Sequence, residues 1–261
     1  MKHVLIILAV IFGAVIPVSL FCAAGVGINK YLIQPAPVAE VAAIAPLVVT
    51  PVAAVILPPT LEEVVAATVT FKCVGEGNRE WSGSGAFIDD KGTILTAGHV
   101  LNGAVVVMVI LGNGKIYPAT DMFVLAPVDV GFCKMVGPMP TPFLKIAAVA
   151  PRLGDIVRVI GSPMGVVFAG SVSQGIVSCT MRMHDKMDYI QVDASAIPGN
   201  SGGPVVNLQG EIVGVLVAGI QAGIEINFAV PADQVLAVLD CYNSFKKLKA
   251  VLWHPQPQPQ N

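Results

Sequence analysis

Asp193-Ala-Ser-Ala-Ile-Pro-Gly-Asn-Ser-Gly-Gly-Pro-Val-Val-Asn207 sets Ser201 among Gly199, Gly202 and Gly203, with Pro198 and Pro204 just outside. Glycine admits positive φ and close backbone approach, whereas proline fixes φ and stiffens the entry. A loop so built holds a hydroxyl outward while neighbouring N–H groups converge on one point. Acyl transfer asks for that geometry: a nucleophile beside donors for a developing oxyanion. Taken alone, the same cluster also describes a tight turn between two strands. The rest of the chain has to decide.

A serine hydroxyl needs a base to take its proton, and the usual base is a histidine oriented by a carboxylate. The chain has four histidines. His3 precedes a long apolar run, His254 lies in a Pro-Gln tail, and His184 sits in the charged run Arg182-Met183-His184-Asp185-Lys186, which reads as an exposed hairpin loop. His99 closes Ile94-Leu95-Thr96-Ala97-Gly98-His99-Val100, a buried-looking strand entering a small-residue turn. By itself it describes a core histidine; a serine loop in want of a base makes it the candidate. For the acid, Asp129 stands among apolar neighbours in Val128-Asp129-Val130-Gly131-Phe132, and a carboxylate in such surroundings needs a partner. Asp121 is the second choice. Gly199-Asn200-Ser201-Gly202-Gly203 also fits the G-x-S-x-G elbow of α/β-hydrolases, but that fold places acid and histidine after the serine. Only His254 follows here, so that alternative fails. The order His99, Asp129, Ser201 is the chymotrypsin order.

Around these residues the chain reads as short strands broken by glycine. The first set is 67–74, 85–88, 94–96, 105–111, 115–122 and 131–135; the second is 156–160, 171–179, 189–192, 204–206, 212–218 and 226–229. Turn signals such as Asp90-Lys91-Gly92 and Gly112-Asn113-Gly114 separate them. Many short strands without intervening helices predict an all-β architecture of closed or sandwiched sheets. The clear helix is 232–252, opened by Pro231 and Asp233, with Val235, Leu236, Leu239 and Phe245 at helical spacing.

A net charge of −2 makes no electrostatic case for nucleic acid. Five cysteines (22, 73, 133, 179, 241) form no C-x-x-C pair, and no histidine stands at zinc-ligand spacing, so neither metal nor cofactor is expected. The four after residue 22 allow up to two disulfides in an exported domain, or stay as buried thiols. Residues 4–28 run 25 positions without a charge, long enough to cross a bilayer as a helix. They are expected to anchor the chain with the remainder exported to the periplasmic or extracellular side. A cleaved signal ending near residue 25 would make it secreted instead. Residues 31–60, rich in Pro, Ala and Val, read as a linker, 61–253 as the globular domain, and 254–261 as a disordered Pro-Gln tail.

The segments Ser82-Gly83-Ser84-Gly85-Ala86-Phe87-Ile88, Thr96-Ala97-Gly98-His99-Val100, Asp129-Val130-Gly131 and Pro198-Gly199-Asn200-Ser201-Gly202-Gly203-Pro204 together resemble the HtrA/DegP branch of trypsin-like serine proteases. Gly161-Ser162-Pro163-Met164-Gly165 and Asn227-Phe228-Ala229-Val230-Pro231 add secondary matches. The resemblance implies a chymotrypsin-like double β-barrel, divided at about residue 150, with the site in the cleft. His99 becomes general base, Asp129 its orienter and Ser201 the nucleophile. The Gly199-Asn200-Ser201 turn forms the oxyanion hole through the N–H groups of Gly199 and Ser201. Ser195, six before the nucleophile, marks the base of the primary pocket, and Val215, Leu216, Val217 and Ala218 line it. With no carboxylate there, cleavage of polypeptides after small or medium aliphatic residues is implied. The chain stops too soon for the family's PDZ domains, Gly219–Glu225 is short for the regulatory loop, and Ile197 replaces the usual Asn. Gating through a PDZ domain is therefore not expected. A homotrimer is common in the family, though its aromatic contacts are not evident here. A catalytically weak, peptide-binding or chaperone homologue is the alternative of another class.

Overall fold

Alternating apolar residues bounded by glycine turns fold here as antiparallel strands that close on themselves. The computed structural model describes residues 58–138, 142–184, 186–221 and 225–252. A short helix, α1 (Leu61–Ala66), is fixed by a capping box in which the Thr60 hydroxyl and the Glu63 carboxylate each accept the other's backbone N–H. The strands β1 (Thr68–Gly75), β2 (Glu80–Phe87) and β3 (Thr93–Ala97) follow, then a helical turn α2 (Gly98–Leu101), then β4 (Ala104–Leu111), β5 (Ile116–Leu125) and β6 (Val130–Met135). They close into a barrel in the order β1-β2-β3-β6-β5-β4. A second barrel, in the order β10-β11-β12-β9-β8-β7, is built from β7 (Ile156–Gly161), β8 (Ser171–His184), β9 (Met187–Val192), β10 (Pro204–Val206), β11 (Ile212–Gln221) and β12 (Glu225–Pro231). Each barrel closes by pairing its end strands, β1 with β4 and β10 with β7.

Period-two alternation sends Val69, Phe71 and Cys73 of β1 into the first barrel, where they meet Phe87, Leu95, Val109 and Phe132. The intervening Thr70 is also buried, because its hydroxyl bonds the Ser162 hydroxyl just beyond β7. The second barrel fills with Val157, Val159, Val177, Ile190, Val192, Val205 and Val213. The long C-terminal helix α3 (Ala232–Leu252) leaves β12 and returns to the first barrel. Tyr242 stacks on Phe132 at 5.2 Å, Phe123 meets Tyr242 and Phe245 at 5.7 Å each, and Lys249 bonds Asp121 at 2.9 Å. Asp121, the second-choice acid, is thus committed to the helix.

Two sequence expectations change. β2 begins at Glu80, not residue 85, because Val74 to Thr68 of β1 pair with Glu80 to Ala86. The charged run around His184 belongs to the β8–β9 hairpin, where Met183 pairs with Asp188 and His184 with Met187. Residues 4–28, the linker up to residue 57 and the tail 254–261 lie outside the described residues. Among those described, no helix is long and apolar enough to cross a membrane.

All four cysteines within the described residues are free thiols, and Cys73 and Cys133 are buried. Burial pushes the Cys73 thiol up to about 12 and Cys133 higher still, the latter helped by Cys73 nearby. Thiolate is the reactive form, so maleimide at neutral pH is expected to label Cys179 and Cys241 in the folded chain. Mass spectrometry should find Cys73 and Cys133 modified only after denaturation.

Candidate active site

His99 is the second residue of α2, and Asp129 ends the turn before β6. The two are clamped twice. Asp129 Oδ1 accepts the His99 backbone N–H at 2.7 Å, and Oδ2 lies 2.8 Å from the ring nitrogen Nδ1. A carboxylate only accepts, so Nδ1 carries the proton and Nε2 is left as the basic nitrogen. Holding this geometry puts Asp129 at φ 57, an uncommon conformation for a residue with a side chain. The Gly98 N–H also donates to the Asp129 carbonyl at 2.9 Å. A Cβ on Gly98 would lie 3.1 Å from Asp129 Oδ1, which suits glycine at this contact. The imidazole side chain is 47% exposed, so His99 faces the cleft and is no core histidine.

Ser201 arrives from the loop between β9 and β10. Its carbonyl accepts the Ser84 N–H of β2 at 2.8 Å, and Gly202 donates to Leu216 O at 2.7 Å while Leu216 donates to Gly203 O at 3.0 Å. A Cβ on Gly202 would fall 2.1 Å from Thr96 Oγ1 and 2.9 Å from Ala97 N; one on Gly83 would fall 2.7 Å from the Val100 side chain and 3.2 Å from Ser201 O. The serine therefore sits against the chain on both sides of His99. Among the described residues its hydroxyl makes no hydrogen bond.

The loop's backbone groups can be accounted for one by one. The carbonyls of Ile197, Pro198, Asn200 and Ser201 accept from Asn200, Met164, Gly203 and Ser84 N–H groups. That of Gly199 accepts the Ser84 hydroxyl at 2.7 Å. Among the described residues, the N–H groups of Gly199 and Ser201 donate to nothing. They are the two nominated as oxyanion donors. The Asn200 N–H is spent on Ile197 O at 3.0 Å, and its Oδ1 is buried without a partner, so Asn200 shapes the turn without offering a donor. Gly199 holds φ +104, and a Cβ there would meet Ser162 O at 2.4 Å, so only glycine suits the position.

Ser84 is the hub that sequence reasoning passed over. Its hydroxyl donates to Gly199 O and accepts from Ser162 N at 2.9 Å, its N–H holds Ser201 O, and its carbonyl accepts Thr96 Oγ1 at 2.7 Å. One buried side chain of the first barrel thus aims a loop of the second. Ser84→Ala removes two buried bonds, of which the one to Gly199 O aims the loop; losing that one is worth about 1–1.5 kcal/mol, close to a factor of ten. Steady-state kinetics on a peptide substrate should show kcat about tenfold lower, with KM little changed.

Beside Ser201 lies a hollow of about 200 Å³ bordered by Ile197, Pro198, Leu216, Gly219 and Asn227. Of the residues expected to line it, Leu216 does. Val215 and Val217 are buried in the core instead, and the β11–β12 pairing shifts register between Leu216 and Ala218. A pleated strand turns successive side chains to opposite faces, so four in a row cannot share one pocket. Ser195 is exposed, bonds Glu225 Oε1 at 3.2 Å, and borders a separate hollow with Ser171 and Ser173. Asn227, not anticipated, takes a place in the wall beside Ser201. Among the described residues no cluster of His, Cys, Asp or Glu is arranged to hold a metal ion.

The model of the trypsin-like peptidase domain matches residues 83–215. Serine protease HTRA1B of Danio rerio is 39% identical over 162 residues, covering 59% of this chain and 33% of that protein. Serine protease HTRA4 of Mus musculus is 35% identical over 170 residues, covering 62% of this chain and 34% of that protein. The chain thus spans about a third of the length of the curated relatives it matches. Among solved structures, the serine endoprotease from Yersinia pestis superposes with a TM-score of 0.60 at 30% identity, covering 71% of this chain and 67% of its own.

Proposed function

The chain belongs to the trypsin-like peptidase family, and from that premise we propose that it is a membrane-tethered serine endopeptidase acting on exported or misfolded polypeptides. In this mechanism Ser201 Oγ attacks the scissile carbonyl carbon as His99 Nε2 takes its proton. Asp129 keeps the proton on Nδ1 and balances the imidazolium that forms. The carbonyl oxygen becomes an oxyanion between the N–H groups of Gly199 and Ser201. Collapse expels the amine, which leaves with the proton from Nε2, and water repeats the sequence on the acyl-enzyme. Two unpaired donors in a loop whose neighbouring carbonyls are all engaged carry this reading, because such donors cost no reorganisation when charge develops.

The apolar wall of Ile197, Pro198 and Leu216, with no carboxylate among its residues, supports cleavage after Val, Ala, Ile or Leu. A buried Lys or Arg side chain there would lack a counter-charge. Residues 4–28 supply the tether, with the catalytic domain on the exported side. One observation favours a catalytically weak, peptide-binding homologue: the Ser201 hydroxyl is not hydrogen-bonded to His99. Catalytic bonds are often long before substrate binds and tighten with it. A fluorophosphonate probe separates the two. The active enzyme is expected to label at Ser201, with labelling lost in Ser201→Ala and in His99→Ala; a native chain that stays unlabelled would overturn the protease reading.

A further inference from the structure

Asn227 is only 3% exposed, yet it borders the hollow that opens on Ser201. Its orientation is determined by chemistry: the amide atom 2.7 Å from Ala194 O must be the donor Nδ2, because a carbonyl oxygen can only accept. Oδ1 is thereby turned the other way. Gly219 is its direct partner across β11 and β12, and a Cβ on Gly219 would fall 2.2 Å from that Oδ1. The amide thus crosses the bare backbone of Gly219 and occupies space that a longer substrate side chain would need. Oδ1 accepts no hydrogen bond from any described residue, and it is not among the polar atoms fully enclosed without a partner. Asn227 thus brings an acceptor without a described partner to a wall otherwise made largely of Ala196, Ile197, Pro198 and Leu216.

We propose that Asn227 sets the primary specificity of this site, admitting short side chains and favouring threonine over its isostere valine. The proposal rests on the protease reading above and narrows its substrate class. Threonine and valine have the same shape. A threonine methyl meets the apolar wall while its hydroxyl donates to Oδ1. A valine in the same place covers Oδ1 with a methyl and leaves a desolvated acceptor unpaired. A site built around a hydrogen-bonding group discriminates against the analogue that lacks it.

The test is chosen so that it does not require turnover. Peptides ending at the cleaved position in Thr, Val or Leu are titrated into the full chain carrying Ser201→Ala, in detergent, by calorimetry. Thr is expected to bind about tenfold more tightly than Val, and Leu more weakly than either. Asn227→Leu keeps bulk but removes the acceptor, and should abolish the preference for Thr. Asn227→Gly, which adds no atoms and is the safer variant for folding, should abolish it too and raise Leu binding. Equal binding of Thr and Val to the Ser201→Ala chain, or an unchanged ratio in either variant, overturns the proposal. Failure of the native chain to label with fluorophosphonate would overturn the protease reading instead, without altering the Thr to Val ratio.

Discussion

Asp129→Asn is expected to lower kcat about 10,000-fold while the fold survives. Both carboxylate oxygens are in use, Oδ1 on the His99 N–H and Oδ2 on Nδ1. An asparagine has one acceptor oxygen and one donor NH2. If its oxygen stays on the backbone N–H, the NH2 faces Nδ1 and forces the tautomer with the proton on Nε2. That nitrogen then cannot take a proton from Ser201. If the amide turns over, its NH2 faces a backbone N–H instead, and α2 must shift. Because kcat falls through the wrong tautomer, KM should change little. Peptide hydrolysis by steady-state kinetics checks the magnitude, and a circular dichroism melt close to that of the native chain shows the fold is kept.

Gly202→Ala should have the largest effect on stability. The residue holds φ +83, and its Cβ would stand 2.1 Å from Thr96 Oγ1 and 2.3 Å from Ser84 O. The Ser84 carbonyl belongs to a paired strand and cannot retreat without breaking the β1–β2 ladder. Left-handed strain alone costs about 1–3 kcal/mol. A backbone overlap of this depth takes the total beyond about 4 kcal/mol, the range reserved for severe defects. Against a typical stability of about 5–15 kcal/mol, that removes a large share of the folding free energy. Gly114→Ala is the control, since Gly114 has a similar φ of +79 but nothing within 4 Å of the added carbon. It should lose only about 1 kcal/mol. Urea denaturation of the two variants reads the difference directly.

The all-β class and the helix at Ala232–Leu252 were legible because periodicity is a local property, marked by glycine turns at one end and Pro231 with Asp233 at the other. Local signals misled where pairing overrode them. Ser82-Gly83-Ser84-Gly85 carries turn chemistry, yet its ladder with β1 makes it strand. Arg182 to His184 is polar enough for a loop, but β9 lies alongside. The clamp of Asp129 on His99 was readable only as a pairing of residue types; the second bond, to the backbone N–H, depends on the φ of Asp129 and leaves no trace in composition. Ser84 and Asn227 were illegible for a related reason. Their roles come from contacts made across the cleft or across a strand pair, with Gly199 in one case and Gly219 in the other. Nothing in their immediate neighbours announces either.

The exchange of hydrogen bonds between Leu216 and Gly202–Gly203 has a bearing on biosynthesis. A nascent polypeptide exposes His99, Asp129 and even Ser201 before Leu216 has left the ribosome. Until β11 docks, the turn that carries Ser201 has its bonds to Ser84 and Met164 but lacks the pair on its far side, at Gly202 and Gly203. If the proposed protease reading holds, completion of the site is in this way deferred to a late moment of synthesis.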